Sequence, residues 1–172
     1  MSEARVASPL GDGSAAITPL GAVGRVIIRC GEGEVGVVSE RIGVALPREA
    51  CRSVQGQGLN ALWLGPDEWL ILGASLPEMS LRLDGVLCSL VDVSHRQVAL
   101  AVHGPRAEDI LASGCALDLS AAAFPVGMCT RTMFAKAEIV LWRTGAETFH
   151  IEVWRSFARY VEALLHQAEG EV

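Results

Sequence analysis

The stretch from residue 91 to residue 114 constrains the fold of this chain more than any other part of its 172 residues. Apolar residues occupy alternate positions on both sides of the polar segment 94–96, and this period of two predicts two strands joined by a tight turn. Pro105 then stands where the first turn of a helix lacks hydrogen-bond partners, and Gly114 is placed to end that helix in a left-handed conformation. The stretch therefore predicts strand, turn, strand and helix in succession.

The rest of the sequence predicts further strands and helices in loose alternation. Ser75 and Glu78 have the spacing of a capping box at the start of a helix, and Ser156 is expected to cap the last helix. Mixed or antiparallel sheets with helices packed on them predict an α+β fold built from split β-α-β units. The expected strands lie at 24–30, 61–64, 68–72, 130–134, 138–142 and 148–153, and the expected helices at 75–87 and from 157 onward.

Residues 31–36 formally match Gly-x-Gly-x-x-Gly, the pattern of a dinucleotide-binding loop. Glu32 and Glu34 would place two negative charges beside a pyrophosphate. Residues 37–44 are rich in β-branched side chains and interrupted by glycine, which disfavours a following helix. We therefore expect a turn between two strands here.

The charge and the hydropathy of the chain restrict its partners. A net charge of −6 provides no basic surface for nucleic acid. No uninterrupted apolar segment approaches the length of about 18 residues that a membrane span requires, and no signal peptide is recognised, so a cytoplasmic location is expected. The hydrophobic fraction of 51% predicts either a face buried against a partner or an unusually apolar core, and composition favours neither.

The length suits one domain with a real core. Residues 1–20 are expected to form a flexible tail, and residues 21–170 to form a single domain or two packed lobes at 21–88 and 89–170. The five cysteines are odd in number, scattered and without Cys-x-x-Cys spacing. Together with the four histidines they complete no zinc pattern, so reduced thiols and no metal site are expected.

Two groups of residues are candidates for chemistry or contact. Asp92 and His95 stand three residues apart at a strand end, with Arg96 beside them, and such a pair can share a proton. The favoured alternative is that Asp92 and Ser94 satisfy backbone groups at the turn while His95 and Arg96 meet a neighbouring chain or solvent. The tryptophans can stack on a pterin or flavin ring, or pack in the core or an interface, and packing is favoured.

The sequence resembles the glycine-cleavage aminomethyltransferase superfamily, and within it the heterotetrameric sarcosine oxidase gamma subunit family. Asp92-Val-Ser-His95 is followed by Gly104-Pro-Arg-Ala107 at the family's distance. The supporting segments run from about residue 59 to 167, and they lie at 62–72, 91–97, 113–115, 117–119, 124–127, 135–137, 141–142 and 154–157.

The resemblance implies an aminomethyltransferase-like fold and a non-catalytic gamma subunit that helps assemble a complex with alpha, beta and delta subunits. The complex would oxidatively demethylate sarcosine to glycine, produce hydrogen peroxide and pass the one-carbon unit to tetrahydrofolate. FAD, FMN, NAD and tetrahydrofolate would be held by the larger subunits, and no cofactor is expected in this chain. The expected contact or ligand residues are Asp92, His95, Arg96, Trp63, Trp69, Trp154 and Arg155.

The chain departs from folate-dependent transferases in two respects. Residues 136–143, which resemble the segment with the acidic residue near the folate, contain Glu138 as their only acid. The chain is also less than half the usual length of the full transferase. The alternative is a stand-alone folate-binding aminomethyltransferase-like protein that uses Glu138 or Asp92.

Overall fold

The computed structural model describes residues 15–56 and 58–171. The strands formed by these residues are β1 (Ala16–Pro19), β2 (Arg25–Cys30), β3 (Ser53–Gln55), β4 (Asn60–Gly65), β5 (Glu68–Leu72), β6 (Cys88–Asp92), β7 (Gln97–His103), β8 (Cys129–Phe134), β9 (Ala137–Gly145) and β10 (Thr148–Trp154). The helices are α1 (Val35–Ile42), α2 (Leu76–Arg82), α3 (Ala107–Ala112) and α4 (Ala158–Glu171).

The strands form two antiparallel sheets. The β7 sheet has the order β1-β7-β10-β9-β8, and the β2 sheet has the order β3-β4-β5-β2-β6. In the β2 sheet the chain runs β2, α1, β4, β5, α2, β6, while the spatial order is β4-β5-β2-β6. That connectivity is the ferredoxin-like split β-α-β arrangement. The predicted α+β class is confirmed.

The two sheets pack face to face, and the helices cover their outer faces. Alternate residues of β2 point to opposite sides, so that Val26 and Ile28 pack under α1 and α2 while Ile27 faces the other sheet. In β9, Ile139 packs against the layer of α3 and α4, and Val140 faces the β2 sheet. Strands buried on both faces need long apolar runs. The high hydrophobic fraction therefore fills three apolar layers inside this chain.

The glycine-rich segment at 31–36 leads into helix α1, so the predicted strand after it is wrong. Val35, Val38 and Ile42 are buried at helical spacing, and this packing outweighs the β preference of their side chains. Gly43 ends the helix with a φ of 81°, a conformation that glycine adopts without strain. The strand before the helix, β2, pairs antiparallel with β5 and β6, unlike the strands of a dinucleotide fold.

The N-terminal tail predicted for residues 1–20 is too long. Residues 16–19 form β1, which pairs antiparallel with β7. Ile17 packs against the core between the β7 sheet and its helices, and that burial holds the strand in place. Residues 1–14 lie outside the described residues.

Two helices end differently from the sequence prediction. The helix predicted at 75–87 stops at Arg82, and Leu87 beyond it is 82% exposed. Ser75 occupies the N-cap position, but its side chain makes no capping bond. Gly114 follows α3 as expected, yet it does not adopt the predicted left-handed conformation. A Cβ atom at position 114 would lie 2.7 Å from the ring of Phe134, so close packing requires this glycine.

Replacing Gly114 with alanine is expected to destabilise the fold by about 1–3 kcal/mol, because the added methyl group must displace a buried aromatic ring. The measurement is the free energy of unfolding in urea. Gly36→Ala is the matched control, since it lies in α1 with no atom within 4 Å of the new Cβ, and it should be neutral or slightly stabilising. Equal stability of the two variants would contradict the packing argument.

Candidate functional site

The turn between β6 and β7 uses its polar groups to hold its own backbone. Oδ1 of Asp92 accepts a hydrogen bond from the Ser94 backbone N–H at 2.8 Å. Interaction with the Ser94 hydroxyl and backbone lowers the pKa of Asp92 below its ordinary value. The Ser94 hydroxyl oxygen in turn accepts a bond from the Arg25 backbone N–H at 2.8 Å. The carboxylate is thus used as a turn-forming group, and within the described residues it makes no hydrogen bond to His95.

Arg155 ties this turn to the end of β10. Its Nε atom donates to the backbone oxygen of His95 at 2.9 Å, and its backbone N–H donates to the oxygen of Arg96 at 2.8 Å. The side chains of His95 and Arg96 are exposed. Three of the residues singled out from the sequence therefore meet at one place, although they are up to 60 positions apart in the chain.

Trp154 lies beside this turn and is 42% exposed. The guanidinium carbon of Arg96 stands 5.0 Å from its ring centroid, in cation–π contact. Trp154 also borders a surface cleft of about 240 Å³, together with Met133, Lys136, Glu138 and Phe157. We call the surface formed by Arg96, Met133, Lys136, Trp154, Arg155 and Phe157 the Trp154 patch.

The other two candidate tryptophans lie in the β2 sheet, in the hairpin of β4 and β5. Trp63 and Trp69 stand opposite each other across this hairpin. Trp69 is 1% exposed, and its indole N–H donates to the oxygen of Pro47 at 2.8 Å. The Trp69 side chain therefore packs in the core, although it also borders the cleft beside Trp63, and its contact or ligand role stays a prediction. Trp63 is half-buried and borders a separate cleft of about 250 Å³.

A buried charged network joins the two sheets and was not recognised from the sequence. Nε of Arg25 in β2 stands 2.6 Å from Oε2 of Glu152 in β10, and both residues are at most 2% exposed. The other carboxylate oxygen of Glu152 lies 2.7 Å from Nε2 of His150. The signal in the sequence was a charged residue inside each of two apolar strands, because such residues are buried only when paired. The spacing of these charged residues in the sequence does not identify which of them form a pair.

A second buried arginine fixes the long connection between α3 and β8. The Arg143 guanidinium donates to the backbone oxygens of Leu119 at 2.8 Å and Phe124 at 3.1 Å. It also pairs with the carboxylate of Glu108 and lies 4.9 Å from the ring centroid of Phe149. This residue therefore acts as a structural cross-link of an irregular segment.

A cleft of about 260 Å³ opens between residues 20–23 and the turn at 94–97. Its lining is mainly apolar, and Arg25, His95 and Arg155 are among its polar residues. Gln97, which is 6% exposed, also borders the cleft, and its Oε1 atom is buried without a hydrogen-bond partner among the described residues. The cleft has features of a small-ligand site, and the Ser94 hydroxyl in its lining accepts the hydrogen bond from the Arg25 backbone.

Residues 15–56 and 58–171 contain neither a metal-binding cluster nor a membrane-crossing helix. In this part of the chain no group of three or more His, Cys, Asp or Glu side chains could hold a metal ion. None of the helices seen there combines the length and the apolar character that a membrane crossing requires.

Comparison with protein families identifies similar sequences. The family described as "Sarcosine oxidase, gamma subunit family" matches residues 33–171. The sarcosine oxidase subunit gamma of Corynebacterium sp. strain P-1 is 31% identical over 148 residues, which cover 82% of this chain and 72% of the relative. That of Corynebacterium sp. strain U-96 is 33% identical over 135 residues, which cover 75% of this chain and 65% of the relative. The chain thus spans 65–72% of the length of these relatives.

Comparison with solved structures identifies a similar fold. Heterotetrameric sarcosine oxidase from Corynebacterium sp. U-96, in complex with pyrrole 2-carboxylate, has a chain that matches with a TM-score of 0.87 and 26% identity. The match covers 94% of this chain and 87% of that chain. Glycine cleavage system aminomethyltransferase T from Bartonella henselae matches with a TM-score of 0.64 and 18% identity, over 89% of this chain and 45% of that chain. The second match shows a shared fold.

Replacing Glu152 with glutamine is expected to destabilise the chain by about 3 kcal/mol, because it leaves the Arg25 guanidinium buried without a negative partner. The measurement is the free energy of unfolding in urea at pH 7. Glu138→Gln is the control, since Glu138 is exposed on the neighbouring strand, and a change within about 0.5 kcal/mol is expected. If the two variants unfold alike, the buried pair does not hold the sheets together.

Proposed function

Because the chain belongs to the sarcosine oxidase gamma subunit family, we propose that it assembles as the gamma subunit of a heterotetrameric sarcosine oxidase. Its role in that complex is structural: it completes the assembly and has no active site of its own. The observation that carries this role is the Trp154 patch. There, three exposed apolar side chains lie beside arginines held by defined contacts.

The composition of the Trp154 patch supports a protein contact. Met133 is 49% exposed, and Trp154 and Phe157 are each 42% exposed. Tryptophan, methionine and arginine are enriched at the centres of interfaces. Arg96 is stacked on Trp154, and Arg155 is bonded to the adjacent turn, so neither arginine loses much conformational freedom on binding. The patch is pre-organised for a partner.

The charges of the patch favour a partner with acidic groups around an apolar side chain. Arg96 lies over the Trp154 ring, Lys136 borders the same cleft, and Arg155 follows Trp154 in the chain. Glu138 is the acid at the edge of this cleft. The chain as a whole carries a net charge of −6, so this basic region is a local exception. Complementary charge would orient the two subunits during association.

The positions of the acidic candidates support a non-catalytic role. Oδ1 of Asp92 holds the backbone of the turn through its bond with Ser94, and among the described residues the carboxylate makes no hydrogen bond to His95. Glu138 is exposed on β9, beside Lys136 in the Trp154 patch rather than in an enclosed cavity. General acid–base catalysis requires a group positioned within hydrogen-bond reach of the proton that it transfers.

The reaction of the whole complex is part of the same proposal. We expect oxidative demethylation of sarcosine to glycine, with hydrogen peroxide as a product and the one-carbon unit transferred to tetrahydrofolate. FAD, FMN, NAD and tetrahydrofolate would be held by the alpha, beta and delta subunits, and the complex would work in the cytoplasm. This chain would contribute contact surface, with Asp92, His95, Arg96, Trp63, Trp154 and Arg155 as the residues to test.

The first experiment is an affinity purification of the tagged chain from its native cells, with mass spectrometry and a visible absorption spectrum of the eluate. Co-purification with three further chains, identified as the alpha, beta and delta subunits, and flavin absorbance are expected. A colourless single species would contradict the subunit role. Titration of that species with tetrahydrofolate, followed by its melting temperature, would then test the stand-alone alternative, which predicts micromolar binding, about −8 kcal/mol.

Replacing Trp154 with alanine is expected to weaken assembly with the other subunits by about 2 kcal/mol, roughly 30-fold, if the ring is a central anchor of the interface. The measurement is the affinity of the purified chain for the remaining subunits by titration calorimetry. Leu81→Ala is the matched control, because Leu81 is an 80% exposed apolar residue on α2, over the other sheet. Wild-type affinity of Trp154→Ala, with an unchanged melting temperature, would exclude the patch from the interface.

A further inference from the structure

Cys30 and Cys88 form a cross-strand pair of thiols in the β2 sheet. They are direct partners in the antiparallel pairing of β2 and β6. Cys30 belongs to the apolar cluster beneath α1 and α2, and Cys88 packs against the same cluster, so both side chains lie on one face of the sheet. Both are free thiols in this structure.

The pair occupies the type of site where facing side chains approach most closely. The Cys30 backbone N–H donates to the oxygen of Asp67, and the Cys88 backbone N–H donates to the oxygen of Val86, so neither N–H is given to the opposite cysteine. In such a non-hydrogen-bonded pair the Cα atoms lie about 4.5 Å apart. Disulfides span Cα distances of about 4.4–6.8 Å, so side-chain rotation alone can bring the sulfur atoms together.

We propose that Cys30 and Cys88 are a thiol oxidation site that closes reversibly into a cross-strand disulfide when the protein meets hydrogen peroxide. Cys88 reacts first, because it is half-buried on an edge strand, whereas Cys30 is 6% exposed. The bond would fix β6, which pairs with β2 along one side, at the rim of the sheet.

The chemistry balances with peroxide as the oxidant. The Cys88 thiolate attacks one peroxide oxygen, the O–O bond breaks, and hydroxide leaves and takes up a proton, which gives a sulfenic acid and water. The Cys30 sulfur then attacks the sulfenic sulfur, an S–S bond forms, and a second water leaves. Two thiols are oxidised by two electrons, and one peroxide is reduced to two waters.

The surroundings of the two thiols set the pH dependence of the first step. Burial raises the pKa of Cys88, and burial, followed by the nearby Cys88 and Glu34 charges, raises the pKa of Cys30. Both thiols are therefore mainly protonated at neutral pH, and the thiolate is the reactive form. The rate of closure should rise roughly tenfold from pH 7 to pH 8, since the thiolate fraction rises tenfold per unit below the pKa.

The remaining cysteines provide internal controls. Cys129 is fully buried, its thiol lies 3.3 Å from the oxygen of Arg52, and burial raises its pKa to about 12. Cys115 is buried against Thr132. Cys51 is half-buried like Cys88, and its backbone oxygen accepts a hydrogen bond from the N–H of Cys129, so the cysteine beside it is the fully buried Cys129. Cys51 therefore tests whether a half-buried thiol beside any cysteine is enough for disulfide formation.

The test treats the purified full chain with hydrogen peroxide at pH 7 and pH 8, blocks free thiols with N-ethylmaleimide, and maps peptides by mass spectrometry without reduction. A linked peptide containing Cys30 and Cys88 is expected, with loss of two hydrogen atoms, and dithiothreitol should restore both thiols. The oxidised chain should melt several degrees higher, since the bond constrains the unfolded chain. Peroxide is added directly, so the result does not depend on the proposed oxidase role.

Two serine variants decide between a specific pair and general thiol oxidation. Cys51→Ser should close the Cys30–Cys88 bond at the wild-type rate, whereas Cys88→Ser should form no intramolecular disulfide. The proposal is overturned if wild-type Cys88 proceeds to sulfinic acid without the linked peptide. It is equally overturned if the main disulfide contains Cys51, or if closure is as fast at pH 7 as at pH 8.

Discussion

The arrangement of this chain depends on the ion pair between Arg25 and Glu152, which crosses the layer between the two sheets. An apolar layer resists separation but gives little resistance to sliding, because hydrophobic attraction is not directional. A buried arginine and carboxylate have one favourable geometry, so they fix the position of β2 against β10. The backbone N–H of Arg25 also donates to the hydroxyl oxygen of Ser94, and this bond attaches the turn after β6 to β2. Arg25 therefore fixes both the position of the two sheets in the core and the position of the β6–β7 turn at the surface.

The polar residues of the β6–β7 turn illustrate how a motif associated with enzymes can serve structure. The Asp92 carboxylate and the Ser94 hydroxyl satisfy backbone groups, and Arg155 binds the backbone oxygen of His95. These bonds place the Arg96 guanidinium over the ring of Trp154. The motif thus determines the position of a surface arginine, and its polar residues need no catalytic explanation.

The sequence predicted the fold class and the order of most elements, because their signals are local. The run from β6 to α3 was predicted from alternation and Pro105, and α4 from its apolar stripe. Where local and tertiary preferences disagreed, the prediction was wrong: Val35, Val38 and Ile42 form a helix because they pack on the β2 sheet. For the candidate site, the proximity of His95, Arg96 and Arg155 follows from strand pairing between β7 and β10. The Arg25–Glu152 pair and the burial of Trp69 depend on contacts between elements, which single-sequence patterns do not encode.

The fold has four layers, in the order helices α1 and α2, the β2 sheet, the β7 sheet, and helices α3 and α4. This order determines the directions from which another molecule can reach the sheets. One face of each sheet is closed by the other sheet and the opposite face by helices, so approach from above or below meets helix surfaces only. What remains open is the perimeter, where strands end and edge strands run. The Trp154 patch lies there, at the last residue of β10. Another molecule that contacts the sheets directly must therefore do so at the rim. Such rim contacts have to prevent rotation about the axis perpendicular to the sheets.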